Sequence, residues 1–360
     1  MHERLTKVQR ELHRQKLLAF VIVNHEDNNK NLFYLTGFSG SAGILIVTAK
    51  NAFLCVDGRY TEQALKQGKG CRIIERKRPE NSGQVIARAL TLAKIKKGAI
   101  GYEGERISVL TAKDWQKEIK GKLIPTKHLV EKLRQYKDLK EITAIQKACK
   151  VSDAVFKEVV KTIQAGMRES DIAAEIDYNL RKHGACGPSF PTIVASGSNS
   201  AMPHHEPTSR RICAGEPVII DFGALMPSGY CSDITRTIFV PGKKPLPKLL
   251  EIYKIALEAN RRALKGIKKG MSWKDYEKIA RDYITEQCYG KKFIHGLGHS
   301  LGLEVHDPYD YKHDGITKQV VFTNEPGIYL PGIGGVRIED DLVMRKDGVK
   351  KLSRAPYPFL

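Results

Sequence analysis

The order of the sequence-predicted elements repeats within the second half of this chain. Apolar side chains recur at three- and four-residue steps from Glu141 to Gln164, which predicts an amphipathic helix. Ser170 is placed to cap a second helix that Gly184 ends. Strand-like segments follow at 192–195, 217–222 and 233–240, then helices over 249–267 and from a Ser272 cap, then strand-like stretches at 319–329 and 335–344. This repetition predicts two related halves of mixed helix and strand.

Residues 1–134 follow a different pattern, in which apolar strand-like runs alternate with helical stretches. The unbroken run at 18–23 suits a strand in a sheet that is covered on both faces. Two further runs flank the turn-like pair Lys50-Asn51 and predict a hairpin. Helical stretches are predicted near 60–67, 84–95 and 109–120. We therefore expect an α+β protein, with an α/β domain over residues 1–134 and a second domain over residues 135–360.

The charge balance is basic, with 60 Lys and Arg against 40 Asp and Glu, a formal net charge of +20. A charge of this sign is compatible with nucleic-acid binding. The excess, however, is mostly lysine spread along the first half of the chain, without interleaved aromatic side chains or an RNA-binding motif. We interpret it as a solvated surface and expect no nucleic-acid partner.

Membrane and secretory segments are not expected. The longest apolar runs, such as 43–47, are far shorter than the roughly 20 residues that span a bilayer. Residues 1–20 carry several basic side chains without the apolar core of a signal peptide. The seven cysteines include no CxxC pair, which indicates free thiols in a reducing compartment. The sequence therefore predicts a cytoplasmic protein with no membrane partner.

Carboxylates at the ends of strand-like segments are the strongest indication of chemistry. Asp221 ends the apolar run 218–220, where an unpaired charge would be costly to bury. Asp233 follows after a turn that contains proline and glycine, so the two strands should form a hairpin with both aspartates at one end. Glu325 and Glu339 stand on adjoining strand-like segments further along the chain.

Histidines accompany these carboxylates in the segment 295–306, which reads HGLGHSLGLEVH. Its glycines disfavour a helix, so a loop or strand should direct the imidazoles. Four carboxylates carry a formal charge of −4 that two divalent cations would balance. Mostly oxygen donors with one nitrogen suit Mn²⁺, Co²⁺, Fe²⁺ or Zn²⁺. Two such ions lower the pKa of bound water, so the set indicates hydrolysis.

Short motifs along essentially the whole chain form one recognisable set. They are YLTGFSGSAG (34–43), DGRY (57–60), FPTIVASG (190–197), IDFGA (220–224), SDITRT (232–237), HGLGH (295–299), EPGIY (325–329) and GGVRIED (334–340). This set resembles the pita-bread metallopeptidase family, and within it the Xaa-Pro peptidases, aminopeptidase P and prolidase. The resemblance implies a creatinase-like amino-terminal domain followed by a pita-bread catalytic domain with two related α+β halves.

The resemblance also implies metal ligands. Asp221 resembles the carboxylate that holds one metal, and Asp233 and Glu339 resemble the two bridging carboxylates. His299 and Glu325 resemble ligands of the second metal, and Glu325 also resembles the general base of the family. The implied cofactors are two divalent ions, with Mn²⁺ as the first choice and Co²⁺, Fe²⁺ or Zn²⁺ as alternatives.

Further cleft residues follow from the same match. His204 and His306 resemble imidazoles that stabilise the tetrahedral intermediate, and His295 resembles a histidine beside the substrate pocket. Arg337 lies two residues before Glu339 on a predicted strand, hence on the same face, and is expected to orient that carboxylate. The family also implies a homodimer.

Two features depart from the family pattern. The separation of Asp221 and Asp233 is one residue longer than expected, which one extra turn residue would accommodate, whereas a slip within a strand would turn one aspartate away. His205 stands where a glycine is common, which would crowd the pocket.

We expect an Xaa-Pro aminopeptidase, which removes the first residue from peptides with proline in second position. The alternative is an Xaa-Pro dipeptidase. A dipeptidase must bind the free carboxylate of proline, best with an arginine, but the segment after His306 supplies Asp307 and Asp310 instead. A remote alternative is a non-catalytic nucleic-acid-binding protein on the same scaffold, against which the retention of all the ligand positions counts.

Overall fold

The computed structural model describes residues 2–358, which fall into two compact units that divide between Leu133 and Arg134. The strands of the first unit are β1 (Ala19–His25), β2 (Ala42–Thr48), β3 (Ala52–Val56), β4 (Arg72–Glu75), β5 (Ala99–Glu103) and β6 (Lys122–Thr126). Its helices are α1 (His2–Arg14), α2 (Lys30–Thr36), α3 (Thr61–Gln67), α4 (Ser82–Leu92) and α5 (Val109–Glu118), and α6 (Glu131–Arg134) reaches the boundary.

The six strands of the first unit form one sheet in the order β4-β3-β2-β1-β5-β6. β1 is buried along nearly its whole length, as its unbroken apolar run predicted. β2 and β3 pair antiparallel with Val47 opposite Ala52, so the hairpin predicted around Lys50-Asn51 is confirmed. Trp115 of α5 packs with the apolar side chains of the sheet in a single core.

The long helices of the second unit, over residues 134–358, are α7 (Leu139–Val159), α8 (Glu169–Lys182), α9 (Pro247–Gly266) and α10 (Trp273–Glu286). Its strands are β7 (Gly187–Pro188), β8 (Ile193–Ser196), β9 (Pro217–Phe222), β10 (Ala224–Leu225), β11 (Ile234–Phe239), β12 (Val321–Asn324), β13 (Gly327–Leu330), β14 (Gly334–Arg337), β15 (Asp340–Arg345) and β16 (Gly348–Lys351). Among the helices of residues 2–358, none combines the length and apolar character that a membrane span requires.

The predicted repetition of helices followed by strands is confirmed in this unit. α7 and α8 precede the sheet β11-β9-β8, and Phe156 of α7 shares a core with Ile220 of β9. α9 and α10 precede the sheets β12-β15-β16 and β13-β14. In this half Tyr276 of α10 packs edge-on against Phe322 of β12, with ring centroids 5.5 Å apart. Each half therefore buries its helices against its own strands, and the protein is α+β as predicted.

The two predicted serine caps have different outcomes. The Ser272 hydroxyl accepts the backbone N–H of Asp275 at 3.1 Å and caps α10, as expected. The prediction for Ser170 was wrong, because α8 begins one residue earlier, at Glu169. The N–H of Ser170 donates to the backbone carbonyl of Thr208 at 3.0 Å. A neighbouring loop therefore satisfies this first-turn donor, and no serine cap is required.

Candidate metal centre

Asp221 in β9 and Asp233, the residue just before β11, are two of the predicted carboxylates. The strands pair antiparallel with Asp221 directly opposite Thr235. Asp233 lies two residues before Thr235, and side chains two apart on an extended chain point the same way. Both aspartates line the same cleft. The longer spacing between them therefore turns neither one away.

The two glutamates lie in loops of the other half. Glu325 lies between β12 and β13, and its N–H donates to the Leu297 carbonyl at 2.8 Å. Glu339 lies between β14 and β15, and its N–H donates to the Thr235 carbonyl at 3.0 Å. The Thr235 hydroxyl in turn donates to Glu339 Oε2 at 2.7 Å. Thr235 therefore ties the hairpin that bears the aspartates to Glu339.

The segment that bears the histidines is an irregular loop, as its glycines predicted. The N–H of His299 donates to Thr323 Oγ1 at 3.0 Å, and the N–H of Thr323 donates to the His299 carbonyl at 2.9 Å. Gly298 lies against the same threonine, where a Cβ would be 2.2 Å from the Thr323 carbonyl oxygen. A side chain at Gly298 would therefore push the loop, and His299 with it, away from β12.

The ligand atoms of Asp233, His299 and Glu339 all lie within 4.8 Å of one another. His299 Nε2 is 3.6 Å from Asp233 Oδ2 and 3.3 Å from Glu325 Oε1. Within residues 2–358, nothing donates a hydrogen bond to three buried oxygens, Asp221 Oδ1, Asp233 Oδ1 and Glu339 Oε1. A buried carboxylate oxygen without a donor is costly. Divalent cations would satisfy all three.

Burial and mutual repulsion disfavour charge on these carboxyls. Burial, together with the charges of Glu339 and Asp221, raises the pKa of Asp233 well above its usual range. Burial and the charge of Glu325 raise the pKa of Glu339 in the same way, and burial raises the pKa of Glu325 to about 8. Bound cations would remove the repulsion. The donor set of carboxylates with one imidazole therefore fits two divalent ions.

A cleft of about 550 Å³ brings together every residue that the sequence assigned to the site. It is lined by the proposed ligands Asp221, Asp233, His299, Glu325 and Glu339 and by His204, His295, His306 and Arg337. Both halves of the second unit contribute residues to this cleft. The site is therefore built only when the halves pack together.

Two of the cleft imidazoles, those of His295 and His306, are uncharged at neutral pH. Burial, with the nearby Arg337 charge, lowers the pKa of His295 to about 4. Burial, with the neighbouring His299, lowers the pKa of His306 to about 4. The rings of His299 and His306 stack with centroids 3.9 Å apart. His295 Nδ1 donates to a backbone carbonyl at 2.8 Å, which leaves Nε2 to accept from the Tyr329 hydroxyl at 2.9 Å.

Arg337 supports a different carboxylate from the one predicted. Its guanidinium donates to Asp221 Oδ2 at 2.6 Å, to the Tyr329 hydroxyl at 2.8 Å and to Thr235 Oγ1 at 3.2 Å. The prediction that it orients Glu339 directly was wrong, because β14 ends at Arg337 and the alternation of side chains does not continue to Glu339. Arg337 reaches Glu339 only through the hydroxyl of Thr235.

Asp307 does not face the cleft, contrary to the specificity argument made from the sequence. Its side chain is 1% exposed, and its carboxylate pairs with Arg134 Nη2 at 2.6 Å and with Lys137 Nζ at 3.1 Å. Asp310 is at the surface and pairs with His313. Neither aspartate lines the cleft, so neither repels a substrate carboxylate there. Arg134 and Lys137, which pair with Asp307, lie far from it in the sequence, so the residues around His306 gave no sign of this pairing.

Sequence reasoning missed three supporting residues, Thr235, Tyr329 and Asp341. Thr235 could have been found, because it lies two residues after Asp233 on a predicted strand. Asp341 Oδ2 accepts the N–H of Asp233 at 3.0 Å and the thiol of Cys149 at 3.2 Å. No local signal marks Asp341 or Tyr329, because their partners come from other strands and helices.

The chain matches two family models, the Creatinase/Prolidase N-terminal domain over residues 4–136 and Metallopeptidase family M24 over residues 143–346. The Xaa-Pro dipeptidase of Pyrococcus furiosus is 36% identical over 355 residues, which cover 96% of this chain and 99% of that protein. The solved structure of an Xaa-Pro dipeptidase from Bacillus anthracis has a TM-score of 0.91 and 36% identity, covering 99% of this chain and 98% of that one. An X-Pro aminopeptidase structure from Thermotoga maritima has a TM-score of 0.88 and 37% identity, covering 96% of this chain and 98% of that one. The chain therefore belongs to metallopeptidase family M24 and carries a Creatinase/Prolidase N-terminal domain.

Proposed function

We propose that this protein is an Xaa-Pro aminopeptidase, which releases the first residue from peptides with proline in second position. The observation that carries the proposal is the set of buried carboxylates around His299, several of whose oxygens receive no hydrogen bond from the described part of the chain. The names of the relatives, Xaa-Pro dipeptidase and X-Pro aminopeptidase, support the choice of substrate.

The proposed ligands are Asp221, Asp233, His299, Glu325 and Glu339, and Mn²⁺ suits this carboxylate-rich set. When bound, two divalent ions would polarise the scissile carbonyl and make water a nucleophile at neutral pH. Glu325 takes up the proton of the attacking water and gives it to the proline nitrogen. That transfer is required, because the proline nitrogen would otherwise have to leave as an amide anion, which is a very poor leaving group.

The imidazoles of His204, His295 and His306 line the cleft, and burial keeps those of His295 and His306 uncharged by lowering the pKa of each to about 4. An uncharged imidazole can donate its one N–H to the oxyanion that develops on the scissile carbonyl, without repelling a bound cation. His295 does not take this role, because its N–H donates to the Gly296 carbonyl and its other nitrogen accepts from the Tyr329 hydroxyl. The ring of His306 stacks on that of the proposed ligand His299, with centroids 3.9 Å apart. We propose that His306 stabilises the transition state.

The cleft also offers a surface that suits proline. Its wall includes the apolar side chains of Phe190, Pro191, Ile193, Pro203 and Val305. A proline ring buries apolar area against such a wall, and the bond before proline has no N–H that the site would need to accept. A cleft that binds ordinary peptides by accepting a hydrogen bond from that N–H would lose this hydrogen bond with a proline peptide.

The choice of an aminopeptidase depends on where positive charge is available. Of the described residues that line the cleft, Arg337 is the one with a permanent positive charge. Each of its three nitrogens already donates a hydrogen bond, to Thr235, Tyr329 and Asp221, and its charge is paired with the Asp221 carboxylate. A fixed cation for the free carboxylate of a dipeptide is therefore missing from this lining, which favours longer peptides. Xaa-Pro dipeptidase is the second candidate, since two of the relatives above carry that name.

The proposal is tested by loading the metal-free protein with Mn²⁺ and assaying three substrates that share one first residue. We expect Xaa-Pro-Xaa to be cleaved with a higher kcat/KM than Xaa-Pro, and Xaa-Ala-Xaa to be cleaved poorly. A preference for the dipeptide would replace the aminopeptidase with a dipeptidase. Equal cleavage of the alanine peptide would contradict the proposed role of proline.

A further inference from the structure

Asp307 follows His306 directly and lies at the centre of a buried ion cluster. Its Oδ1 is 2.6 Å from Arg134 Nη2, and its Oδ2 is 3.1 Å from Lys137 Nζ. The side chains of Arg134, Lys137 and Asp307 are at most 2% exposed. Glu304, partly exposed, completes the cluster with a 2.5 Å contact to Arg134. Three charges are thus held out of water immediately behind a cleft histidine.

The cluster closes the loop that runs from Ser300 to Asp307. The N–H of Asp307 donates to the Ser300 carbonyl at 2.9 Å, and Lys137 Nζ donates to Ser300 Oγ at 3.2 Å. The N–H of Glu304 donates to Asp307 Oδ1 at 3.2 Å. Gly302 packs so closely that a Cβ there would be 2.6 Å from Asp307 Oδ2. The backbone N–H of Asp307 therefore joins the two ends of the loop, and its carboxylate holds the middle of the loop directly and Ser300 through Lys137.

This loop connects the two histidines that stack in the cleft. His299 precedes Ser300, and His306 precedes Asp307, and their rings lie 3.9 Å apart at an angle of 23°. Burial alone would raise the pKa of Asp307, but Arg134 and Lys137 lower it below its usual range, so the carboxylate stays charged. Burying an ion pair contributes little net stability compared with an apolar replacement. The role of this ion cluster is therefore better sought in the geometry of the loop than in the stability of the protein.

We propose that Asp307 is a positioning residue for the peptidase reaction: held by Arg134 and Lys137, it fixes His306 against His299 for the transition state. The inference rests on the proposed peptidase function, and it assigns to Asp307 no contact with substrate. A displacement of about 1 Å in a catalytic group can cost roughly 100-fold in rate. The cluster would prevent a displacement of that size.

The first test is Asp307→Asn, which keeps the size of the side chain and removes its charge. We expect kcat to fall by roughly 10- to 100-fold, with KM and bound metal unchanged. Asp310→Asn, three residues beyond this loop and paired with His313 at the surface, is the matched control and should leave kcat unchanged. If Asp307→Asn keeps its full kcat, the proposal is wrong. Inactive wild-type protein would instead contradict the proposed function.

A double-mutant cycle separates positioning from general destabilisation. In the background of His306→Ala, Asp307→Asn should lower kcat no further, because the residue through which it acts is gone. An equal further loss would show that Asp307 acts independently of His306 and would overturn the proposal.

The last arm guards against a variant that fails to fold. Lys137→Met with Asp307→Asn removes one cation and one anion together, which leaves Arg134 paired with Glu304. We expect this pair to fold and to show the same loss of kcat. Its crystal structure should show the His306 ring displaced from His299, and an unmoved ring would contradict the positioning role.

Discussion

Glu169→Gln is expected to destabilise the protein by an amount that depends on pH. Glu169 is fully buried, and its carboxylate accepts hydrogen bonds from four residues around it. The Ser196 N–H and hydroxyl donate at 2.8 and 2.7 Å, the Thr208 N–H and hydroxyl at 3.1 and 2.7 Å, His205 Nε2 at 2.9 Å and Asn199 Nδ2 at 3.1 Å. Of these partners, His205 lines the cleft next to His204, so the carboxylate holds one residue of the cleft wall in place.

The magnitude follows from the change in pKa. Although burial opposes charge, the hydrogen bonds from Ser196, Thr208 and His205 lower the pKa of Glu169 from 4.5 to about 2. A shift of that size corresponds to at most about 3 kcal/mol. Glutamine offers one acceptor oxygen instead of two and turns an N–H₂ group toward groups that are themselves donors. We therefore expect a loss of about 3 kcal/mol at pH 7.

The sign of the pH dependence is fixed by the lowered pKa in the folded protein. The contribution of Glu169 is complete above pH 4.5, its unfolded value, and is lost as the pH falls from there toward about 2. The difference between wild type and Glu169→Gln should therefore narrow below pH 4.5. The assay is urea unfolding of the metal-free proteins from pH 7 to pH 3.5.

Glu175→Gln is the matched control, because Glu175 lies on the same helix and accepts a hydrogen bond from the exposed hydroxyl of Thr162 at the surface. Its unfolding free energy should stay within about 0.5 kcal/mol of wild type. The reasoning is refuted if Glu169→Gln costs no more than this control, or if its cost does not change with pH.

Other substitutions test the metal centre and its support. Asp233→Asn should stabilise the metal-free protein by about 1 kcal/mol, since it removes buried repulsion, yet abolish the rise in Tm on adding Mn²⁺; calorimetry checks both. His299→Ala should lose metal and activity, whereas His306→Ala should keep its metal and lose roughly 100-fold in kcat, which metal analysis and kinetics would separate. Arg337→Lys should lower kcat because one ammonium cannot replace a guanidinium that serves Asp221 and two hydroxyls; an unchanged kcat would contradict that role.

Local patterns predicted the elements well, because their signals lie within a few residues. Strand β9 was bounded as observed, and the Ser272 cap was found from a single residue before an amphipathic run. The same kind of signal, a serine before an amphipathic run, gave a wrong prediction at Ser170. There the N–H of Ser170 donates to the carbonyl of Thr208, which lies in a loop that is distant in the sequence. A first-turn donor can be satisfied from anywhere in the fold, and the sequence does not show from where.

Motifs predicted the residues of the candidate site. The predictions that were wrong concern contacts between residues that are distant in the sequence. Arg337 was assigned to Glu339 by strand alternation, but the strand ends before that residue and the guanidinium turns to Asp221. Asp307 was read as an acid beside the substrate, but Arg134 and Lys137 bury it. A motif shows which residues are neighbours in the sequence. The residue that pairs with a buried charge can come from a distant segment, and the motif does not show which one it is.

The most direct test of the account is a titration of the metal-free protein with Mn²⁺, in which bound metal and release of the first residue from an Xaa-Pro-Xaa peptide are measured together. The account predicts no hydrolysis without metal and full activity once two ions are bound per chain. The variant Glu339→Gln should bind less metal and remain inactive while keeping its fold. Hydrolysis that persists in a chelator, or full activity in Glu339→Gln, would contradict the assignment of these buried carboxylates to a metal centre.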